Sequence, residues 1–244
     1  MNPKENIHES WKPIIPLLHQ EPLCTLNEQI LPNISYQPKA ENIFKVFNVP
    51  VQDVKVVILG QDPYPTPGDA IGRAFAVSED RKIPASLRII REEILNSCGS
   101  NSFQQNTGEN WKTLQHWEQQ GVLLLNTALT VESGKAGSHL KYWEDFTKRI
   151  ISFISSTNPC IWLILGKKAE AFIPYINHAP FRVKGYDLET IKSIPANDDW
   201  NYILNAPHPA AETYSGGNAG FYGCNHFIYV NEILRVLRKK EINW

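Results

Sequence analysis

Lys55-Val56-Val57-Ile58-Leu59-Gly60-Gln61-Asp62-Pro63-Tyr64-Pro65 decides how the rest of the chain is read. Val56 to Leu59 is a short, branched, apolar run, the pattern of a strand buried on both faces. Gly60 ends the run and lets the backbone turn or approach a ligand closely. Pro63 biases Asp62 toward an extended or turn conformation, and with Pro65 it stiffens the loop around Tyr64. A carboxylate and a ring are thereby fixed at the carboxyl end of a core strand. Open parallel sheets bind their ligands at that edge.

Three more apolar runs have the same form. They are Val122-Leu123-Leu124-Leu125 before Asn126, Ile161-Trp162-Leu163-Ile164-Leu165 before Gly166, and Tyr202-Ile203-Leu204 before Asn205. Helical stripes separate them. Leu87, Ile90, Ile94 and Leu95 come after Pro84 and Ser86, which suit a helix start. Trp143, Phe146, Ile150, Phe153 and Ile154 mark a helix over 142–157, and Phe227, Val230, Ile233, Leu234 and Leu237 mark one in the C-terminal tail. Residues 9–48 read as helical pieces, and 98–110 as a polar loop. Each gap between strands exceeds the dozen or so residues that a parallel crossover needs. The expectation is an α/β fold: a single three-layer α/β/α domain over 1–244 with a central four-stranded parallel sheet. Residues 1–40 would be an N-terminal helical extension packed on it.

Composition narrows the class. The net charge of −1 advertises no polyanion partner, although a local basic patch suffices for one. The four cysteines, Cys24, Cys98, Cys160 and Cys224, are scattered, with no Cys-x-x-Cys pair. Neither a zinc site nor a secreted disulfide framework is expected. The polar start is not a signal peptide, and no apolar run is long enough to span a membrane. The expectation is a soluble monomer in a reducing compartment, the cytoplasm if the source is bacterial.

The four strand ends carry Gln61-Asp62-Pro63-Tyr64, Asn126, Gly166-Lys167 and His208-Pro209. If the strands are all parallel, these groups converge. Nucleotide-binding glycine loops, a Gly-x-Ser-x-Gly elbow and a histidine-rich metal cluster are all missing. One carboxylate, one imidazole, one carboxamide and several rings suit a planar polar ligand such as a nucleobase. Asn126 offers a donor and an acceptor side by side, and Phe75 offers a stacking face. Singly, each has a blander reading. Asp in a turn is usually an Asx turn, a lone His is usually a satisfied polar residue, and Ser86 near a helix start is either a cap or a phosphate contact.

Gly60-Gln61-Asp62-Pro63-Tyr64-Pro65, the Phe75 segment, Leu123-Leu124-Leu125-Asn126-Thr127, and His208-Pro209 with the later Gly223-Cys224 and Phe227 together resemble the family-1 uracil-DNA glycosylases. Order and spacing agree from about residue 40 onward. The resemblance implies hydrolysis of the N-glycosidic bond of an everted deoxyuridine in DNA, leaving an abasic site, without metal or cofactor. Asp62 would activate water and stabilise the cationic sugar, and His208 would stabilise the departing uracil. Asn126 would read the uracil edge, Tyr64 would block C5, Phe75 would stack, and the Gln61 backbone would hold O2. Pro84, Ser86, Gly166 and Lys167, with Ala210, Glu212 and Tyr214 in the loop after His208, would contact the DNA. Partners would be uracil-containing DNA and a protein inhibitor of the family.

The chain departs from the family on the DNA side. Where the family has His-Pro-Ser-Pro-Leu, with Leu as a wedge, this chain has His208-Pro209-Ala210-Ala211-Glu212. The loop after it is longer, and Lys167 stands where the family commonly has a phosphate-binding Ser. A carboxylate is a poor wedge, so Tyr214 or another part of the loop is expected to replace it; otherwise single-stranded substrate is preferred. Two competing readings stand beside the glycosylase: a non-catalytic DNA-binding module, and a glycosylase for other damaged bases.

Overall fold

The structure is a computed structural model that describes residues 7–99, 111–183 and 188–244. Its strands among these residues are β1 (Tyr36–Gln37), β2 (Val56–Gly60), β3 (Val122–Asn126), β4 (Val131–Glu132), β5 (Ile161–Leu165), β6 (Phe181–Val183) and β7 (Tyr202–Ala206). Five form one sheet in the order β3-β2-β5-β7-β6, with every neighbouring pair parallel. β1 and β4 pair separately and antiparallel.

The fold class is the expected one, with one strand more than expected. β6 joins the edge beyond β7, Phe181 opposite Tyr202 and Val183 opposite Leu204. Three residues with an arginine at the centre are too few for hydrophobic periodicity to register. Most of the polar loop expected over 98–110 lies outside the described residues.

The sheet separates two cores because successive side chains on a strand point to opposite faces. Val57, Leu59, Leu123, Leu125, Trp162 and Ile164 face one; Val56, Ile58, Val122, Leu124, Leu163 and Leu204 face the other. Helix α1 (Ala85–Cys98) and the C-terminal helix α4 (His226–Val236) pack on the second face through Leu87, Ile90, Ile94, Phe227, Val230 and Leu234. Helix α2 (Leu140–Thr157) covers the first with its Trp143, Phe146, Ile150 and Ile154 stripe. The N-terminal 3-10 segment Glu9–His19 adds Trp11, Ile14 and Leu18 to that core, and the Trp11 indole donates to the Val49 carbonyl at 2.7 Å. No helix among the described residues is long and apolar enough to cross a membrane.

Chain order along the sheet reverses between β2 and β5, since β3 lies on one side of β2 and β5 on the other. Such a switch point opens a crevice at the carboxyl ends of the strands. Parallel register brings those ends level: Gly60 lies opposite Asn126, and Leu165 opposite Ala206.

Candidate active site

Gln61, Asp62, Tyr64, Phe75, Asn126 and His208, the six residues expected to do chemistry or grip a base, all line one cavity of about 210 Å³ at this crevice. The glycine that ends β2 makes the cavity possible. A Cβ on Gly60 would lie 2.6 Å from Asn126 Oδ1 and 3.2 Å from the Phe75 ring. Side chain and ring therefore close directly over bare backbone. Phe75 has φ of 65°, a left-handed conformation that costs a non-glycine residue energy and that recurs at functional sites. The cost is incurred at a ring that lines the cavity.

Asp62 is held at both oxygens. The Gln61 amide donates to Oδ1 at 3.0 Å, and the Gly137 N–H donates to Oδ2 at 2.5 Å. Burial pushes its carboxyl above the usual carboxylate range, and these two donors only partly offset that. The result is a fixed anion that is more basic than a surface aspartate. Gly137 was not expected here. It lies in the turn after β4, 75 positions from Asp62, and nothing local in the sequence announces the meeting.

The Tyr64 hydroxyl donates to the Phe75 carbonyl at 3.0 Å and lies 2.7 Å from the Ser86 hydroxyl. Burial raises its pKa, so it stays a neutral phenol. The ring is a wall pinned at both its proline-flanked base and its tip. Ser86 is 4% exposed. Its hydroxyl lies against Tyr64 in the cavity wall.

His208 sits across the cavity, its ring 5.8 Å from that of Phe75. The Ala210 N–H donates to Nδ1 at 3.2 Å. That bond makes Nδ1 the acceptor and leaves the neutral ring's proton on Nε2. Burial lowers the pKa, which favours this neutral form. Gly166, at φ 97°, lets β5 pass beneath: a Cβ there would lie 2.8 Å from His208 Cβ. Among the described residues no group hydrogen-bonds to the Asn126 carboxamide, which is 8% exposed and available to whatever fills the cavity.

A second cavity, of about 430 Å³, adjoins the first and shares Gln61 and His208 with it. Gly166, Lys167 and Ala211 line it, with the Lys167 side chain exposed. Pro84 is half-buried just before α1 and Ala210 half-buried beside His208. One DNA-side expectation is overturned. Glu212 is only 3% exposed, its carboxylate folded into its own loop. Turned inward in this way, the side chain offers DNA no direct contact, and its backbone donors keep it ionised. Tyr214, two positions on in the short helix α3 (Ala211–Ser215), is 90% exposed.

The arrangement is a half-open pocket whose walls include an anion, a neutral N–H donor, a free carboxamide and two rings. Comparison with known proteins agrees. Residues 47–235 match the model of the uracil DNA glycosylase superfamily. A uracil-DNA glycosylase of Aliivibrio fischeri is 40% identical over 210 residues, 85% of this chain and 81% of that one. One of Aliarcobacter butzleri is 38% identical over 242 residues, 96% of this chain and all of the relative. Among solved structures, a mimivirus UNG variant in complex with UGI superposes with a TM-score of 0.77 at 24% identity, covering 100% of this chain and 91% of that one. That likeness is one of fold, whereas the family match and the curated relatives carry the assignment: the chain belongs to the uracil DNA glycosylase superfamily.

Proposed function

We propose that this protein hydrolyses the N-glycosidic bond of deoxyuridine in DNA, releasing uracil and leaving an abasic site. The observation that carries this is the shared cavity, with Asp62 and His208 lining it together with Tyr64, Phe75 and Asn126. The target base must leave the stack to enter it. As the bond breaks, the sugar gains positive charge and the uracil negative charge. A fixed carboxylate favours that sugar more than the ground state. At ~4 Å and an effective dielectric near 20, the attraction is worth about 4 kcal/mol, or roughly three decades of rate. Asp62 also orients the attacking water as general base, and its burial suits that task. His208 donates from Nε2 to the leaving base without first losing a proton.

Specificity comes from the remaining walls. Asn126 pairs with the O4 and N3–H edge, and cytosine offers a donor where uracil has an acceptor. Tyr64 closes C5 against the thymine methyl. Phe75 stacks on the ring, and the Gln61 backbone holds O2. Pro84, Gly166, Lys167 and Ala210 lie around the mouth and take the DNA backbone, Lys167 by charge. Tyr214 takes the part of the wedge, as the exposed ring on the loop beside His208. The protein acts as a monomer, in whichever compartment holds the DNA. The inhibitor UGI, bound to the mimivirus relative, is a candidate partner here too.

The test is incubation of a uracil-bearing oligonucleotide in EDTA, then alkali, beside an Asp62→Asn control. Strand cleavage by wild type alone supports the reading. No uracil release from any substrate sinks it and favours a binding module.

A further inference from the structure

The loop that replaces the expected wedge is organised around a buried anion. Glu212 Oε1 accepts the N–H of Phe221 at 2.5 Å and of Tyr222 at 3.0 Å; Oε2 accepts the N–H of Ala219 at 2.9 Å and faces the Ser215 hydroxyl at 3.4 Å. A second carboxylate continues the series from α1. Glu93, 1% exposed, accepts the N–H of Gly223 at 2.7 Å and of Asn225 at 2.9 Å. Between the two, the Tyr222 hydroxyl donates to Glu92. The backbone from Ala219 to Asn225 is thus strung across two buried acceptors.

This construction answers a physical problem. Gly216, Gly217 and Gly220 all have positive φ, and glycines make a loop expensive to order. A segment left free would lose its freedom only on meeting DNA, and that loss weakens binding. Charge-assisted bonds to a buried carboxylate impose the order in advance. The other end of the loop is tied to the active site, since the Ala211 N–H donates to the His208 carbonyl at 2.9 Å. Tyr214 stands on the one turn of helix between these anchors.

We propose that Glu212 is a positioning residue for duplex substrates: by gathering the backbone of 219–222 it holds α3 at a fixed attitude beside His208, so that Tyr214 is presented rigidly to the gap an everted base leaves. The residue that departs most from the family in chemistry is, on this account, what makes the replacement wedge work. The inference rests on the glycosylase reading. Aromatic side chains fill such gaps by stacking on the neighbouring bases.

The experiment measures single-turnover uracil release from single-stranded and U:A duplex oligonucleotides of one sequence. A parallel arm tracks 2-aminopurine fluorescence beside the uracil as the duplex opens. Glu212→Gln is expected to lower the duplex-to-single-strand ratio roughly tenfold, the scale of one charge-assisted hydrogen bond lost, and to reduce the fluorescence rise. In a Tyr214→Ala background the same change should add nothing, because the two act as one unit. Ser215→Ala removes the hydroxyl that faces the Glu212 carboxylate and that also accepts the Asn218 N–H at 3.0 Å; it loosens the same loop without touching the anion, should move the ratio the same way by less, and decides the matter if Glu212→Gln does not fold. An unchanged ratio, an equal loss on both substrates, or full additivity with Tyr214→Ala overturns the proposal. Wild-type protein that releases no uracil from either substrate would instead mean that the glycosylase reading has failed.

Discussion

The base pocket and the 210–225 loop solve the same problem, holding side chains still, by different means. In the pocket Gln61, Asp62, Asn126 and His208 each lie at the end of a core strand or within two residues of it. Their positions are inherited from the register of a buried parallel sheet. In the loop there is no ladder. Order comes from backbone N–H groups gathered by Glu212 and Glu93, and the chain between them is rich in glycine. The pocket is rigid because of what it is attached to, the loop because of what it has bonded to. The first kind of rigidity survives most surface substitutions. The second depends on two carboxylates.

The largest expected effect lies in the pocket. Asp62→Asn should cost about three decades in the single-turnover rate, equally on single-stranded and duplex DNA; a loss confined to duplex would erase the distinction between the regions. Gly60→Ala should come next, because the new Cβ lies 2.6 Å from Asn126 Oδ1. Displacing a gripping group by a fraction of an ångström costs roughly a hundredfold, again on both substrates. Tyr64→Phe strands the Phe75 carbonyl and the buried Ser86 hydroxyl. Urea unfolding should show a loss of about 1–3 kcal/mol, while thymine release stays undetectable because the ring remains. On the loop side, Tyr214→Ala should lower the duplex-to-single-strand ratio about tenfold; an unchanged ratio would leave the loop with no part in the reaction. The finest effect is a displacement along the pH axis. On the proposed mechanism Asp62 acts as an anion, and burial raises its pKa, so single-strand kcat/KM should fall with acid at a higher pH than an ordinary aspartate would give. His208 is shifted the other way and stays neutral further into acid. That acid limb should persist in His208→Gln and vanish from the residual activity of Asp62→Asn.

Most of the pocket is legible in the sequence because Gln61, Asp62, Asn126 and His208 are covalently close to apolar runs, and apolar runs are easy to read. Val56–Leu59 announces a buried strand, so Gln61 and Asp62, just past Gly60, are known to lie at its end. Parallel topology then assembles Gln61, Asp62, Asn126 and His208 with no further information. Two kinds of feature stayed hidden. β6 is too short to have a period, and only its pairing with β7 makes it a strand. Long-range hydrogen bonds leave no local mark: Gly137 on Asp62, Ser86 on Tyr64, and above all Glu212 on its own loop. A glutamate after Ala210-Ala211 is read as a solvated charge, since glutamate is almost never fully buried unless paired. Its partners here are backbone groups, which every sequence has and which no sequence displays.

Helix α1 touches both regions. Its first turn carries Ser86 against the Tyr64 hydroxyl, and Glu93, seven positions on, receives Gly223 and Asn225. Those seven positions are nearly two complete turns, about 10 Å of axial rise, so both contacts leave the same side of one rod. The rod acts as a gauge between the Tyr64 wall of the cavity and the 210–225 loop. Adding or deleting a single residue between Ser86 and Glu93 would swing one contact about 100° around the axis relative to the other. Either end tolerates redesign on its own; the interval between them does not.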